Sequence, residues 1–120
     1  MAEAKENVIT KMSTTTGVDM KTAASTTLYT TPAGKSLIVD YIRIRSNSAS
    51  LAGGTSYAWT NWRAAVDLSG MTTTNGSRPL YSVDNTTYVP IPPLTAFQLV
   101  ITTGSNAACT ATIDVWGYLI

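Results

Sequence analysis

Histidine is absent from this chain of 120 residues, and Cys109 is its single cysteine. Without histidine, neither Ser-His-Asp nor Cys-His catalysis can be built, and most zinc sites are excluded as well. A single cysteine cannot form a disulfide within the chain. We therefore expect no metal, no cofactor and no enzymatic activity. The one catalytic alternative left is a pair of carboxylates brought together from different strands.

Charged side chains are also scarce. They make up 12% of the residues and sum to a net charge of +1, whereas roughly 25% charged residues is usual. This balance offers no electrostatic attraction for nucleic acid or acidic lipid. No apolar stretch reaches the length of a membrane helix, and the polar start, Met1 to Asn7, lacks the apolar region of a secretory signal. We expect a chain made in a cytoplasm, with protein surfaces as its partners.

Thr, Ser and β-branched residues are abundant, and they favour pleated sheet over helix. Alternating or apolar runs occur at Thr27–Thr31, Ser36–Ser46, Ser56–Leu68 (with a bulge near Asn61), Pro79–Val83, Thr86–Ile91, Phe97–Thr102 and Cys109–Leu119, with turns at Pro32–Lys35 and Asp84–Asn85. A period of two residues over the last run is incompatible with a helix. About eight strands without a helix between them predict an all-β, antiparallel β-sandwich with a jelly-roll-like topology.

The first 25 residues have few apolar side chains and several lysines. We interpret residues 1–25 as an extended N-terminal arm and residues 26–120 as the β-sandwich domain. Such an arm is either disordered by itself or extended along a partner. An edge strand at Asn7–Met12 that simply closes the sheet is an equal alternative.

Aromatic and arginine side chains are the residues most often found at the centre of protein interfaces. Some of the aromatics must also fill the core, and exposed ones could instead stack on sugars. We expect an interface among the following residues, which combine these aromatics and arginines with the apolar residues of the arm: Val8, Ile9, Met12, Arg43, Arg45, Trp59, Trp62, Arg63, Trp116 and Tyr118.

Four segments carry a resemblance to a known group of proteins. They are TLYTTPAGK at Thr27–Lys35, YVPIPP at Tyr88–Pro93, FQLVI at Phe97–Ile101 and ATIDVWGY at Ala111–Tyr118. The first resembles the strand, turn and strand that open the β-sandwich of many structural proteins of tailed bacteriophages. The chain differs from the commonest form of that motif at Thr31, where valine is usual.

Within that group, a small single domain with a polar arm is most similar to a capsid decoration (cement) protein. The resemblance implies a virion component on the capsid surface, binding the major capsid protein and itself, as a homotrimer, and stabilising the shell. It equally allows an alternative location in a tail, collar or fibre. There the same sandwich would be a binding module for a host receptor or carbohydrate.

Overall fold

The computed structural model describes residues 8–71, 77–81 and 89–120, and these residues form strands and connecting segments without a helix. The strands are β1 (Thr10–Asp19), β2 (Ser25–Thr30), β3 (Leu37–Arg45), β4 (Ser56–Trp59), β5 (Arg63–Val66), β6 (Ser77–Tyr81), β7 (Ala96–Thr103) and β8 (Thr110–Leu119). They form two four-stranded sheets, in the orders β1-β8-β3-β6 and β2-β7-β4-β5. All their pairings are antiparallel. The predicted all-β sandwich of about eight strands is confirmed.

The topology is that of one long hairpin rolled up on itself. The first strand pairs with the last, β2 with β7, β3 with β6, and β4 with β5. Successive strands along the chain alternate between the two sheets, apart from the β4–β5 turn at the tip of the rolled hairpin. This is the jelly-roll arrangement of eight strands in two packed sheets. The first sheet therefore contains both β1 and β8, and its outer face is assembled from distant parts of the sequence.

The turn predicted at Pro32–Lys35 is present. Lys35 N donates to Pro32 O at 3.4 Å, and Gly34 has a φ of 74°, a left-handed conformation that glycine adopts without steric cost. The bulge predicted near Asn61 is wrong, because the chain reverses direction there and forms a β4–β5 hairpin. Asn61 has a φ of 60°, which asparagine tolerates better than most residues.

The N-terminal region is the main correction to the predicted organisation. Residues Thr10–Asp19 form β1, an edge strand paired with β8, so the sandwich begins well before residue 26. The structure thus matches the edge-strand alternative, although the strand starts later and is longer than Asn7–Met12. A strand can be this polar because an edge strand buries few side chains, while the backbone groups that face its neighbour are still paired. Residues 1–7 of the predicted arm lie outside the described residues.

The hydrophobic core lies between the two sheets. Its largest fully buried side chains are Trp59, Tyr57, Phe97 and Met20. The third and eighth strands contribute alternate residues, such as Ile42, Ile44, Ile113 and Val115, as their period of two predicts. Of the strand predicted at Thr86–Ile91, only the last three residues are described, and Ile91 forms an isolated bridge with Leu37. The predicted turn at Asp84–Asn85 lies outside the described residues.

Candidate functional site

The outer face of the first sheet carries a row of four side chains that crosses all its strands. Lys11 on β1 is the register partner of Trp116 on β8, which is paired in turn with Tyr41 on β3. Tyr41 is paired with Tyr81 on β6. Side chains directly opposite on neighbouring antiparallel strands lie close enough to pack against each other. We call Lys11, Trp116, Tyr41 and Tyr81 the aromatic row.

Within the aromatic row the rings pack on one another. The Trp116 and Tyr41 rings are stacked, with centroids 5.7 Å apart and an interplanar angle of 6°. The Tyr41 and Tyr81 rings are tilted by 40° at a centroid separation of 5.6 Å. On the other side of Trp116, the Lys11 ammonium lies 6.0 Å from the ring centroid, within the range of a cation–π contact. Trp116 and Tyr41 are thus each in contact with a neighbour on either side along the row, and both are half-buried.

This packing determines what the row can present to a ligand. A flat ligand such as a sugar or a base stacks on the face of an aromatic ring. Tyr81, at the sheet edge, is 52% exposed, whereas Trp116 and Tyr41 are half-buried. The rings pack side by side, so the row forms one apolar strip across the sheet. A strip of partly exposed aromatic side chains suits a protein surface, which supplies both apolar contacts and hydrogen-bonding groups.

A second row beside it contains a buried carboxylate. Asp114 accepts a hydrogen bond from Arg45 Nε at 2.8 Å on Oδ2 and one from Thr14 Oγ1 at 2.8 Å on Oδ1. Burial raises the pKa of the Asp114 carboxyl, but the hydrogen bonds from Arg45 and Thr14 and the charge of Arg45 outweigh this effect. The pKa of Asp114 therefore lies below its ordinary value of 3.8. These three residues, which we call the carboxylate network, join β1, β8 and β3.

The cations near these two rows are only partly neutralised. Arg45–Asp114 is the one ion pair found in residues 8–71, 77–81 and 89–120. Arg43 Nη1 donates to Ser77 Oγ at 2.6 Å, and Arg63 Nη1 donates to Tyr81 O at 2.7 Å. Lys11 at one end of the aromatic row and Arg43 beside it therefore present positive charge. Their remaining N–H groups are available to acceptors on a partner.

The interface residues predicted from the sequence do not lie together in the structure. Arg43, Arg45 and Trp116 lie on the outer face of the first sheet, as expected from their phase along the strands. Trp59 is fully buried. Trp62 packs edge-on against Trp59 and Phe97 and donates from Nε1 to Val39 O at 3.2 Å. The assignment of Trp59 and Trp62 to an interface is corrected, because the β4–β5 hairpin turns both indoles toward the core.

Of the remaining predicted residues, Val8, Met12 and Tyr118 line a groove at one end of the first sheet. Val8 and Ile9 are exposed, Met12 and Tyr118 are half-buried, and Arg63 lies apart from them on β5. The groove has a volume of about 380 Å³, and its lining consists of Val8, Thr10, Met12, Lys35, Tyr118, Leu119 and Ile120. It lies beside the start of β1 and the end of β8.

Sequence reasoning missed three members of this surface. Tyr41 shares the phase of Arg43 and Arg45 on the same strand, and that alternation could have identified it. Lys11 and Tyr81 carried no such signal, because each becomes part of the row only through its pairing partner.

In the part of the chain that the structure describes, no three histidine, cysteine, aspartate or glutamate residues come together as a metal site. Nor does any helix there have the length and apolarity to cross a membrane. Comparisons with protein-family models, curated proteins and solved structures gave no match.

Proposed function

We propose that this chain is a non-catalytic structural protein of a bacteriophage particle that binds other protein surfaces through the outer face of its first sheet. The observation that carries the binding role is the aromatic row, a partly exposed apolar strip with positive charge on its flanks. Buried aromatics with arginines near the centre of a patch are typical of protein interfaces.

Within that role we propose a capsid decoration protein that binds the major capsid protein and itself, as a homotrimer. The particle assignment derives from the sequence resemblance, and the jelly-roll sandwich is compatible with it. A clamp across neighbouring shell subunits needs a rigid domain with a broad contact surface. Many copies on a shell then stabilise it together, even when each contact is weak.

A tail, collar or fibre module that binds carbohydrate is the second candidate. The 52% exposure of Tyr81 is the observation in its favour. The half-burial of Trp116 and Tyr41 favours the protein partner over the sugar, because one well-exposed ring is a small stacking platform.

The location is tested by electron cryo-microscopy of particles containing this protein, together with quantitative mass spectrometry of its copy number. The proposal requires many copies distributed over the head. A few copies confined to a neck or tail would overturn the decoration role, and absence from purified particles would overturn the virion role. Hits on a glycan array that disappear in Tyr81→Ser would favour the second candidate.

The binding surface is tested by re-adding purified protein to particles from which it has been stripped. Tyr81→Ser should weaken rebinding about tenfold, the effect of losing one well-exposed aromatic contact. Gln98→Ser is the matched control, because Gln98 is half-buried and lies on the second sheet, away from the row. Equal rebinding of both variants would show that the outer face of the first sheet is not the contact surface.

A further inference from the structure

The register of the first strand with β8 shifts twice, between Lys11 and Ser13 and between Thr15 and Val18. The second shift is a bulge that separates the residues up to Thr16 from those that follow from Val18 onward. Gly17 lies inside the shift with a φ of +66°, and a Cβ added there would meet nothing within 4 Å. The bulge therefore depends on the backbone conformation of Gly17 and not on close packing around it.

The part after the bulge is firmly anchored. Val18 and Met20 are 2% and 0% exposed. Met20 N donates to Cys109 O at 2.9 Å, and Met20 O accepts bonds from the Tyr57 hydroxyl at 2.7 Å and from Ser105 N at 3.1 Å. Both the side chain and the backbone hold this part in the core.

The part before the bulge has no buried side chain among the residues described, and only Met12 packs partly against the core. Its side chains make three specific contacts. Thr14 bonds to Asp114, Ser13 Oγ donates to Leu28 O at 2.8 Å, and Lys11 lies over Trp116. Segments held by backbone pairing with little burial are the first to open in native proteins.

We propose that residues 8–16 exchange between copies of this chain, with Gly17 as the hinge. When this segment leaves, β8 exposes an unpaired edge, which favours pairing with another strand. A second copy of the chain is the occupant that the contacts favour. An identical segment restores the Thr14, Ser13 and Lys11 contacts in the same register, whereas an unrelated strand restores only backbone bonds. Exchange of an identical element is a low-cost route to an oligomer.

This inference does not rest on the proposed virion role, because it uses only contacts within the sandwich. It supplies a physical route to self-association.

The exchange is tested with cysteines introduced at Lys11 and Trp116, which are directly opposed on β1 and β8 and so suit a disulfide. The variant is K11C/W116C, with Cys109→Ser to remove the native thiol. On addition of a mild oxidant, the disulfide forms within one chain when residues 8–16 pair with β8 of the same chain. It forms between chains when the segment has exchanged, and non-reducing electrophoresis distinguishes the two products.

The hinge is tested by adding Gly17→Ala or, as the matched control, Gly17→Asn. Alanine disfavours the left-handed conformation of residue 17 in the closed chain. It should therefore raise the ratio of disulfide-linked oligomer to monomer about 5- to 30-fold for each hinge that opens. Asparagine tolerates that conformation and should change this ratio much less. Disulfides within single chains only, in all three backgrounds, would overturn the proposal, as would equal yields with alanine and asparagine.

A measurement on the unmodified chain covers the case in which Gly17→Ala fails to fold. Native-state hydrogen exchange should show the paired amides of Thr10–Thr15 exchanging faster than those of Val18 and Met20, with the boundary at Gly17. Equal protection on both sides of Gly17 would contradict the hinge.

Discussion

An Asp114→Asn substitution would show how much the carboxylate network stabilises the first sheet. The variant keeps the shape of the side chain and removes its charge. In the folded protein the carboxylate accepts bonds from Arg45 and Thr14, both at 2.8 Å. An asparagine side chain has a single oxygen. One of the two donors therefore loses its acceptor, and the other keeps an acceptor that no longer carries charge.

The magnitude follows from the burial of the two partners. A hydrogen bond to a charged group contributes about 1.5–3 kcal/mol. The Arg45 side chain is 39% exposed, so water replaces part of what it loses. We therefore expect the free energy of unfolding to fall by about 1–2 kcal/mol at pH 7, which corresponds to about 4–10 °C in Tm for a domain of this size.

The pH dependence provides a sharper test than the magnitude. Because the folded-state pKa of Asp114 lies below 3.8, folding favours the ionised carboxylate. Its contribution is complete well above the pKa of the unfolded chain and is lost as the pH falls through the folded-state pKa. The difference between wild type and Asp114→Asn should thus be constant above about pH 5 and shrink below pH 3.8.

Urea unfolding at a series of pH values measures this difference. Asp19→Asn is the matched control, because Asp19 is exposed and its backbone bonds from Lys21 N and Thr22 N go to one oxygen, Oδ1, which asparagine retains. The further bond from the Thr22 side chain lies at the surface, where water can replace it. We expect that control to lose less than about 0.5 kcal/mol at pH 7. A loss in Asp114→Asn that is equal at pH 7 and pH 3, or no larger than in the control, would refute the role of the charge.

Three further variants probe the core and the sheet. Tyr57→Phe should cost about 1 kcal/mol, because the hydroxyl bonds to Met20 O, which keeps a backbone donor. Burial raises the pKa of Tyr57 to about 12, so the stability of the wild type should fall as the pH rises from 10 toward 12, and less so in the variant. Met20→Ala should cost about 2–5 kcal/mol in urea unfolding, since the side chain is fully buried; a loss below 1 kcal/mol would contradict its anchoring role. Gly117→Ala should cost about 1–3 kcal/mol, because the added methyl group meets Ile38 O. In the control Gly70→Ala, the added Cβ would meet no atom within 4 Å, so stability should change by less than about 0.5 kcal/mol. Equal effects of the two glycine substitutions would contradict the close packing at Gly117.

Much of the fold could be predicted from local patterns. The alternation of residues along β3, β7 and β8 predicts which side chains face the core, because each strand shows its two faces in its own sequence. The turn at Pro32–Lys35 is equally local, since proline and glycine each impose a backbone conformation. These predictions needed no knowledge of the pairing partners.

The hairpin at Asn61 and the strand Thr10–Asp19 could not be predicted in the same way. A change of phase indicates either a bulge or a reversal, and only packing of the indoles of Trp59 and Trp62 into the core decides between them. The first strand is polar, so its sequence does not distinguish an arm from an edge strand. Its pairing with β8 decides that.

The candidate surface was likewise only partly predictable from local sequence patterns. The sequence by itself determined the strand-forming composition, the two faces of the central strands and the outward phase of Arg43, Arg45 and Trp116. Only the tertiary structure brought Lys11, Trp116, Tyr41 and Tyr81 into one row, because their contacts arise from the register between strands that are distant in the chain. Alternation is a property of one strand, whereas a cross-strand row is a property of the rolled-up sandwich.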